Sequence, residues 1–248
     1  MVIPVRMAST RFPGKPLKNI LGISMIEHVY CRAALCKKVD EILIATCDKE
    51  IMDACKSFGA KAILTSIRHE RSVDRVAEAV NNLDCEIVIN LQGDEPLVTP
   101  DIIETLIKKM KEDKLINCAN LVSKIDEEEF NSPNTVKIVN DLNNNIIYFS
   151  RESIPSKSKS TDEEFEKYKQ IGIIAFRKKF LLTYTDLPST PLENIESVDM
   201  LRVLEHGFTI KMVKVEYKGV GVDVPSDIPR VEKLMANDNL LSQYYLNN

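Results

Sequence analysis

No run of apolar residues in this sequence approaches the ~20 needed to cross a bilayer. The opening stretch, Met-Val-Ile-Pro-Val-Arg, has no basic segment followed by a long apolar one. It does not read as a signal peptide, and the chain is expected in the cytoplasm. No CxxC pair occurs among the six cysteines, Cys31, Cys36, Cys47, Cys55, Cys85 and Cys118. Most lie in apolar, patterned stretches and read as reduced core thiols rather than a metal or redox centre. Neither GxxxxGK[ST] nor GxGxxG is present, which removes the Walker loop and the dinucleotide turn. Repeats, linkers and low-complexity tails are also missing. His28, His69 and His206 sit in helical or loop positions outside any motif and read as structural. A formal charge of −4 argues against a general nucleic-acid binder.

What is there is an ordinary globular composition: 248 residues, 44% hydrophobic and 28% charged. That length makes one large domain or two small ones, and it suffices to bury about 70–75% of the unfolded surface. Short β-rich runs alternate with helical ones through the first half: strand Val2–Val5, helix Ser24–Lys37, strand Glu41–Thr46, helix Lys49–Phe58, strand Lys61–Thr65, helix Arg71–Asn82, strand Glu86–Leu91 and a helix opening at Pro100. Val73, Val76, Ala77 and Val80 carry the i, i+3, i+4, i+7 signature. This rhythm predicts an α/β fold with an open, mostly parallel sheet flanked by helices. The first strand is shorter than the roughly five or six residues usual for a buried one, so a few residues are expected upstream of it.

The rhythm changes after Leu115. Ile116–Ser123, Thr135–Val139, Asn145–Phe149 and Ile171–Phe176 are closely spaced strand patterns, with a polar turn at Asp141–Asn145 and a solvated loop at Ser156–Asp162. A helix over Pro191–His206, a strand near Ile210–Glu216 and a helix after Pro225 follow. The expectation is a single domain over residues 1–248 with an inserted, more antiparallel lobe at about 116–190.

Charge is unevenly spread. Residues 1–26 contain Arg6, Arg11, Lys15 and Lys18 and no acid, so they carry +4. Most of these cations fall on the loop after the first strand, where an open α/β sheet binds its ligands. Ala8, Ser9 and Gly14 allow close backbone approach to phosphate oxygens. Arg11 can clamp a phosphate through two hydrogen bonds, and Lys15 acts as a mobile point charge. A second strand end carries Gln92-Gly-Asp-Glu-Pro96, and a third carries Gly219-Val-Gly-Val-Asp-Val-Pro225. Asp94 and Asp223 would lie at one sheet edge beside the basic loop, a carboxylate pair suited to Mg²⁺.

The loop Arg6–Leu17, in the form RxxSxRFPGKPL, resembles the signature of nucleotidyltransferases that activate sugars. With Asn90–Leu97, Ser132–Val139, Tyr148–Pro155, Ile171–Arg177, Pro191–Gly207 and Gly221–Pro225, the chain resembles the 3-deoxy-manno-octulosonate (Kdo) cytidylyltransferases. These make CMP-Kdo for bacterial lipopolysaccharide. The resemblance implies CMP transfer from CTP to an acidic sugar with release of pyrophosphate, a dimerisation lobe and a homodimer. It implies Mg²⁺ on Asp94 and Asp223, nucleotide contacts from Arg6, Ser9, Arg11, Lys15, Arg75 and Gln92, and acceptor contacts from Gln92, Arg151, Gln170 and Asp199. Arg71-Ser72 replaces the small Ser-Gly pair of the family near the base. Gln170 and Ile174 stand where the family has His and Tyr, and Asp199-Met200 where it has Glu-Gln. These positions face the sugar in the family, so Kdo is expected to be a poorer acceptor than a modified relative. The same transfer to another nonulosonic acid or a phosphonate is the alternative. A glycosyltransferase is disfavoured because Gln92-Gly-Asp-Glu95 is a poor DxD match, and a non-catalytic nucleotide-binding module because Arg11, Lys15, Asp94 and Asp223 are all in place.

Overall fold

The computed structural model describes residues 1–9, 11–159 and 165–245. Among them, nine strands form one sheet. Strand β1 (Val2–Pro4) lies inside it, parallel to β2 (Leu43–Thr46) and β4 (Ile87–Leu91), and β3 (Ala62–Leu64) extends β2 in parallel. Beyond β4 comes β8 (Tyr168–Arg177), which runs antiparallel to both β4 and β5 (Cys118–Lys124). Strand β9 (Lys211–Lys214) closes that edge parallel to β5. The hairpin β6 (Lys137–Asn140) and β7 (Ile146–Ser150) joins through the start of β8.

Near-continuous apolar strands are required because helices cover both faces. Successive side chains alternate between two cores. Ile3, Ile44 and Ile89 pack with helices α1 (Met25–Ala34), α2 (Lys49–Ser57) and α4 (Pro100–Glu112). Val2, Ala45 and Val88 pack with α3 (Ser72–Val80) on the opposite face. The Val73, Val76, Ala77, Val80 stripe is buried, as its spacing predicts. All six cysteines are free, with Cys36, Cys55 and Cys118 buried and the other three half-buried. No helix of the described residues is long and apolar enough to cross a membrane.

Three local readings change. Strand β5 and the whole of β8 lie in the main strand order, so only the β6–β7 hairpin branches from it, through the start of β8. After α5 (Glu127–Asn131), a further helix, α6, occupies Lys178–Asp186, and the helix expected over Pro191–His206 is two, α7 (Pro191–Glu196) and α8 (Leu201–Glu205). Ser197, at φ 53°, breaks the long helix. The break turns α8 so that Arg202 reaches the Glu193 carboxylate at 2.6 and 2.8 Å. The expected polar loop is exposed over residues 156–159, and its remainder lies outside the described residues.

His28 shows how tightly the C-terminal segment is held. Its ring is fully buried, with Nε2 2.7 Å from the Ile20 carbonyl and Nδ1 2.8 Å from the Tyr244 hydroxyl. A carbonyl only accepts, so Nε2 carries the proton and Nδ1 accepts from Tyr244. Burial, and after it the Arg32 charge, lowers the ring's pKa to about 4. Between that value and the ordinary one, near 6.5, the unfolded chain binds a proton that the native one refuses. Stability therefore falls as pH drops below about 6.5, by on the order of 2 kcal/mol at pH 5 from this group. Urea denaturation at pH 7 and pH 5 is expected to show a smaller loss in His28→Gln than in the parent. Equal losses would refute the assignment.

Candidate active site

The carboxyl ends of β1 and β4 open side by side. The loop after β1 folds back on itself: Gly14 donates its N–H to Met7 O at 3.0 Å, and Phe12 N–H donates to Ser9 Oγ at 3.3 Å. Gly14 adopts φ 69°, where a side chain is disfavoured. The fold delivers Lys15 and Arg11 to two acids. Lys15 Nζ lies 2.7 Å from Asp94 Oδ2 and 2.8 Å from Val222 O. Arg11 Nη2 lies 2.8 Å from Asp223 Oδ1. Gly93, before Asp94, has no room for a side chain, since a Cβ would stand 2.1 Å from Val5 Cγ1. The two acid-bearing segments are joined directly, Val222 N–H donating to Asp94 O at 2.9 Å.

Two cavities meet at Asp94. The first, ≈ 450 Å³, is lined by Arg6, Ser9, Arg11, Lys15, Arg71, Arg75, Gln92 and Asp94, among others. Its cations outnumber its acids, which suits a polyanion. The second, ≈ 330 Å³, lies between the hairpin side and the loop of Gly219–Val224, with Asp94, Glu95, Lys169, Gln170, Gly172 and Asp223 on its wall. Every nucleotide contact expected from the sequence lines the first cavity. Arg75 is buried there, its guanidinium on the Thr65 hydroxyl. Gln170 lines the second, its Nε2 donating to Asn120 Oδ1 at 2.7 Å.

Two expected acceptor contacts, Arg151 and Asp199, line neither cavity. Carbonyls hold the Arg151 guanidinium, that of Glu196 at 2.8 Å and that of Pro133 at 3.1 Å. Asp199 lies behind the wall: Gln92 Nε2 donates to Ser72 Oγ at 2.8 Å, and Ser72 donates to Asp199 at 3.3 Å. Burial raises the Asp199 pKa. Ile174 and Met200 are core residues, packed with Phe176 and Tyr184 on the α3 face. Their departures from the family pattern therefore do not remove polar groups from either cavity.

A model of the cytidylyltransferase family matches residues 1–213. The 3-deoxy-manno-octulosonate cytidylyltransferase of Geobacter metallireducens is 41% identical over 244 residues, covering 94% of this chain and 96% of that one. That of Thermodesulfovibrio yellowstonii is 43% identical over 248 residues, with the same coverage. The chain belongs to the 3-deoxy-manno-octulosonate cytidylyltransferase family. It is a nucleotidyltransferase. A CMP:2-keto-3-deoxy-manno-octonic acid synthetase solved in complex with CTP superimposes with a TM-score of 0.89 at 40% identity, covering 95% of this chain and 97% of the other. A 4-diphosphocytidyl-2C-methyl-D-erythritol synthase from Anaerococcus prevotii, 16% identical with a TM-score of 0.62, shares the fold.

Within this family member the sequence reading missed Glu95 and Tyr217. Burial, then the adjacent Asp94 charge, pushes the Glu95 carboxyl up to about 7. Tyr217 donates its hydroxyl to Glu95 Oε2 at 3.0 Å from 122 positions away. A carboxylate next to Asp94 was visible, but nothing local to either residue signals that pairing. Arg71, noted only as a departure, ties the first cavity to α7 through Glu193 at 3.3 Å and to the segment leading into α8 through Asp199 at 3.5 Å.

Proposed function

We propose that this protein transfers CMP from CTP to Kdo, releasing pyrophosphate, with Asp94 and Asp223 as the ligands of Mg²⁺. The observation that carries the reading is Asp94 on the shared wall of a cationic cavity and a second one, with Asp223 on that second cavity and held to the basic loop through Arg11. Among the described residues no group of three or more His, Cys, Asp or Glu gathers at one point. Mg²⁺ needs no such cage, because it takes one or two carboxylates and completes its shell with phosphate oxygens and water. The pair fits it. When bound, the ion supplies charge neutralisation at the α-phosphate and orientation of both reactants.

The chain's own residues do the rest. Lys15 and Arg11 balance the triphosphate charge and that of the departing pyrophosphate. Gly93 lets the end of β4 pack directly against Val5, which sets Asp94 at the cavity edge. Gln92, its amide nitrogen spent on Ser72, offers its oxygen as an acceptor. An acceptor hydroxyl in the second cavity attacks the α-phosphorus across Asp94, in line with the bond to the β-phosphate, and no enzyme-bound intermediate is required. Kdo is an anion, and the cations on the second cavity's wall are Arg230 and Lys169, the latter paired with Glu129, beside seven acids that include the proposed Mg²⁺ ligands. A homodimer fits the exposed Ile147 on β7 and Ile195 on α7, apolar groups a second copy would cover. A reaction fed by CTP points to the cytoplasm.

Pyrophosphate release tests the reading. CTP, UTP, ATP and GTP are supplied at equal concentration with Kdo, another nonulosonic acid or a phosphonate. CTP with Kdo is expected to exceed every other pair by roughly tenfold or more, about 1.4 kcal/mol of discrimination. A faster reaction with UTP or ATP, or with a phosphonate, overturns the assignment.

A further inference from the structure

We propose that Glu95 is a positioning residue that holds the Asp223 segment in register with Asp94; the inference rests on the roles given to those two aspartates above. Two distant pieces of chain converge on its carboxylate. Oε1 accepts the N–H of Gly172 at 3.1 Å, and Oε2 accepts the hydroxyl of Tyr217 at 3.0 Å. Gly172 lies where the pairing of β8 with β5 shifts register, between Gln170 and Ile174. Its carbonyl accepts from Gln92 N at 2.8 Å, so the bulge is pinned to the β4 exit from both sides.

Glycine makes the convergence sterically feasible. A Cβ at Gly172 would stand 3.0 Å from Glu95 Oε1 and 2.9 Å from the Gln92 side chain. A Cβ at Gly219 would stand 2.0 Å from the Tyr217 ring, so the loop wraps closely over that ring before reaching Asp223. Anchoring Tyr217 therefore fixes one end of a short segment whose other end is Val222, bound to Asp94 O, and Asp223 itself. Lys15 makes the other tie between the two segments, through Asp94 Oδ2 and Val222 O. Lys15, however, lines the cationic cavity, where a triphosphate competes for its ammonium. Glu95 lines the second cavity, and its tie does not depend on that competition.

The test uses the full chain and the variants Glu95→Ala, Glu95→Gln and Tyr217→Phe. Amide hydrogen exchange without nucleotide reads the tie directly. Glu95→Ala is expected to speed exchange at Gly172 and at Val222 by tenfold or more. Tyr217→Phe, which removes one hydroxyl, is expected to speed Val222 and leave Gly172 within twofold. Mn²⁺ titration in the presence of CTP, followed by electron paramagnetic resonance, is expected to show several-fold weaker binding in Glu95→Ala. Its kcat should fall at least tenfold with the KM for CTP within threefold. Glu95→Gln is expected to keep a third or more of parental turnover, because its amide oxygen still accepts from Gly172 and its NH₂ can donate to Tyr217. Parental exchange at Val222 and parental Mn²⁺ affinity in Tyr217→Phe would overturn the proposal, and that variant decides if Glu95→Ala does not fold. Damage by Glu95→Gln equal to that by Glu95→Ala would overturn it too, by assigning the effect to charge. If the parent releases no pyrophosphate from CTP, the proposed function fails, while exchange still decides the positioning role.

Discussion

Asp94→Asn and Asp223→Asn are each expected to lower turnover by on the order of 10³-fold, about 4 kcal/mol of barrier. Asparagine keeps the size of the side chain and removes the charge. Neither carboxylate is buried in a core: the side chains are 32% and 35% exposed. Each is paired with a single cation, Asp94 with Lys15 and Asp223 with Arg11, in a partly open site. Ion pairs at a partly open site edge contribute little to stability, so unfolding midpoints should stay near the parent's. The loss instead falls on chemistry. A neutral amide holds Mg²⁺ weakly next to a triphosphate, and the developing charge is left poorly countered. Initial rates of pyrophosphate release at saturating CTP and Kdo, over a Mg²⁺ titration, measure the effect. Turnover within tenfold of the parent in both variants, or parental activity in EDTA, would refute the metal role.

Arg202→Met has the largest expected effect on stability. Glu193 is fully buried, and Arg202 forks onto it at 2.8 and 2.6 Å while stacking over the Tyr184 ring at 4.7 Å. Removing the arginine leaves a buried carboxylate with Arg71 at 3.3 Å as its remaining cation and the Thr190 N–H, also at 3.3 Å, as a remaining hydrogen bond. Breaking a buried pair in this way costs about 3–5 kcal/mol. For a chain of this size that lowers the melting temperature by roughly 6–20 °C. The double replacement Glu193→Met with Arg202→Met removes the orphaned charge and should recover part of the loss. Thermal unfolding of the three variants checks this, and a double variant no more stable than Arg202→Met would contradict it. Because Ser197 of the α7–α8 break lines the first cavity, the same substitution should also weaken nucleotide binding.

Much of the site was legible because its signals are local. The four cations without an acid in residues 1–26, and the glycine before Asp94 at the end of an apolar strand, need no partner to be recognised. Arg151 shows the opposite case. Its charge marks it as an anion clamp, but its direction is set by carbonyls of Pro133 and Glu196, whose approach depends on how α7 packs against the hairpin. The family resemblance places Ile174 and Met200 toward the sugar by their position in a motif. Alternation along β8 and the turn into α8 send them to the core instead.

The sequence by itself determined the parallel α/β rhythm, the buried stripe of α3, the basic loop and the two acidic strand ends. Each is written in spacing or composition within about ten residues, where backbone geometry alone relates neighbours. Only the tertiary structure decided the bulge of β8 at Gly172, the left-handed break at Ser197, the pairing of Asp94 with Lys15 and Asp223 with Arg11, and the Glu95 clasp on Tyr217. Those contacts join residues far apart in the chain. Their geometry follows from which faces must be buried together and which polar groups must then be satisfied, and periodicity along one segment carries no record of the segment that closes on it.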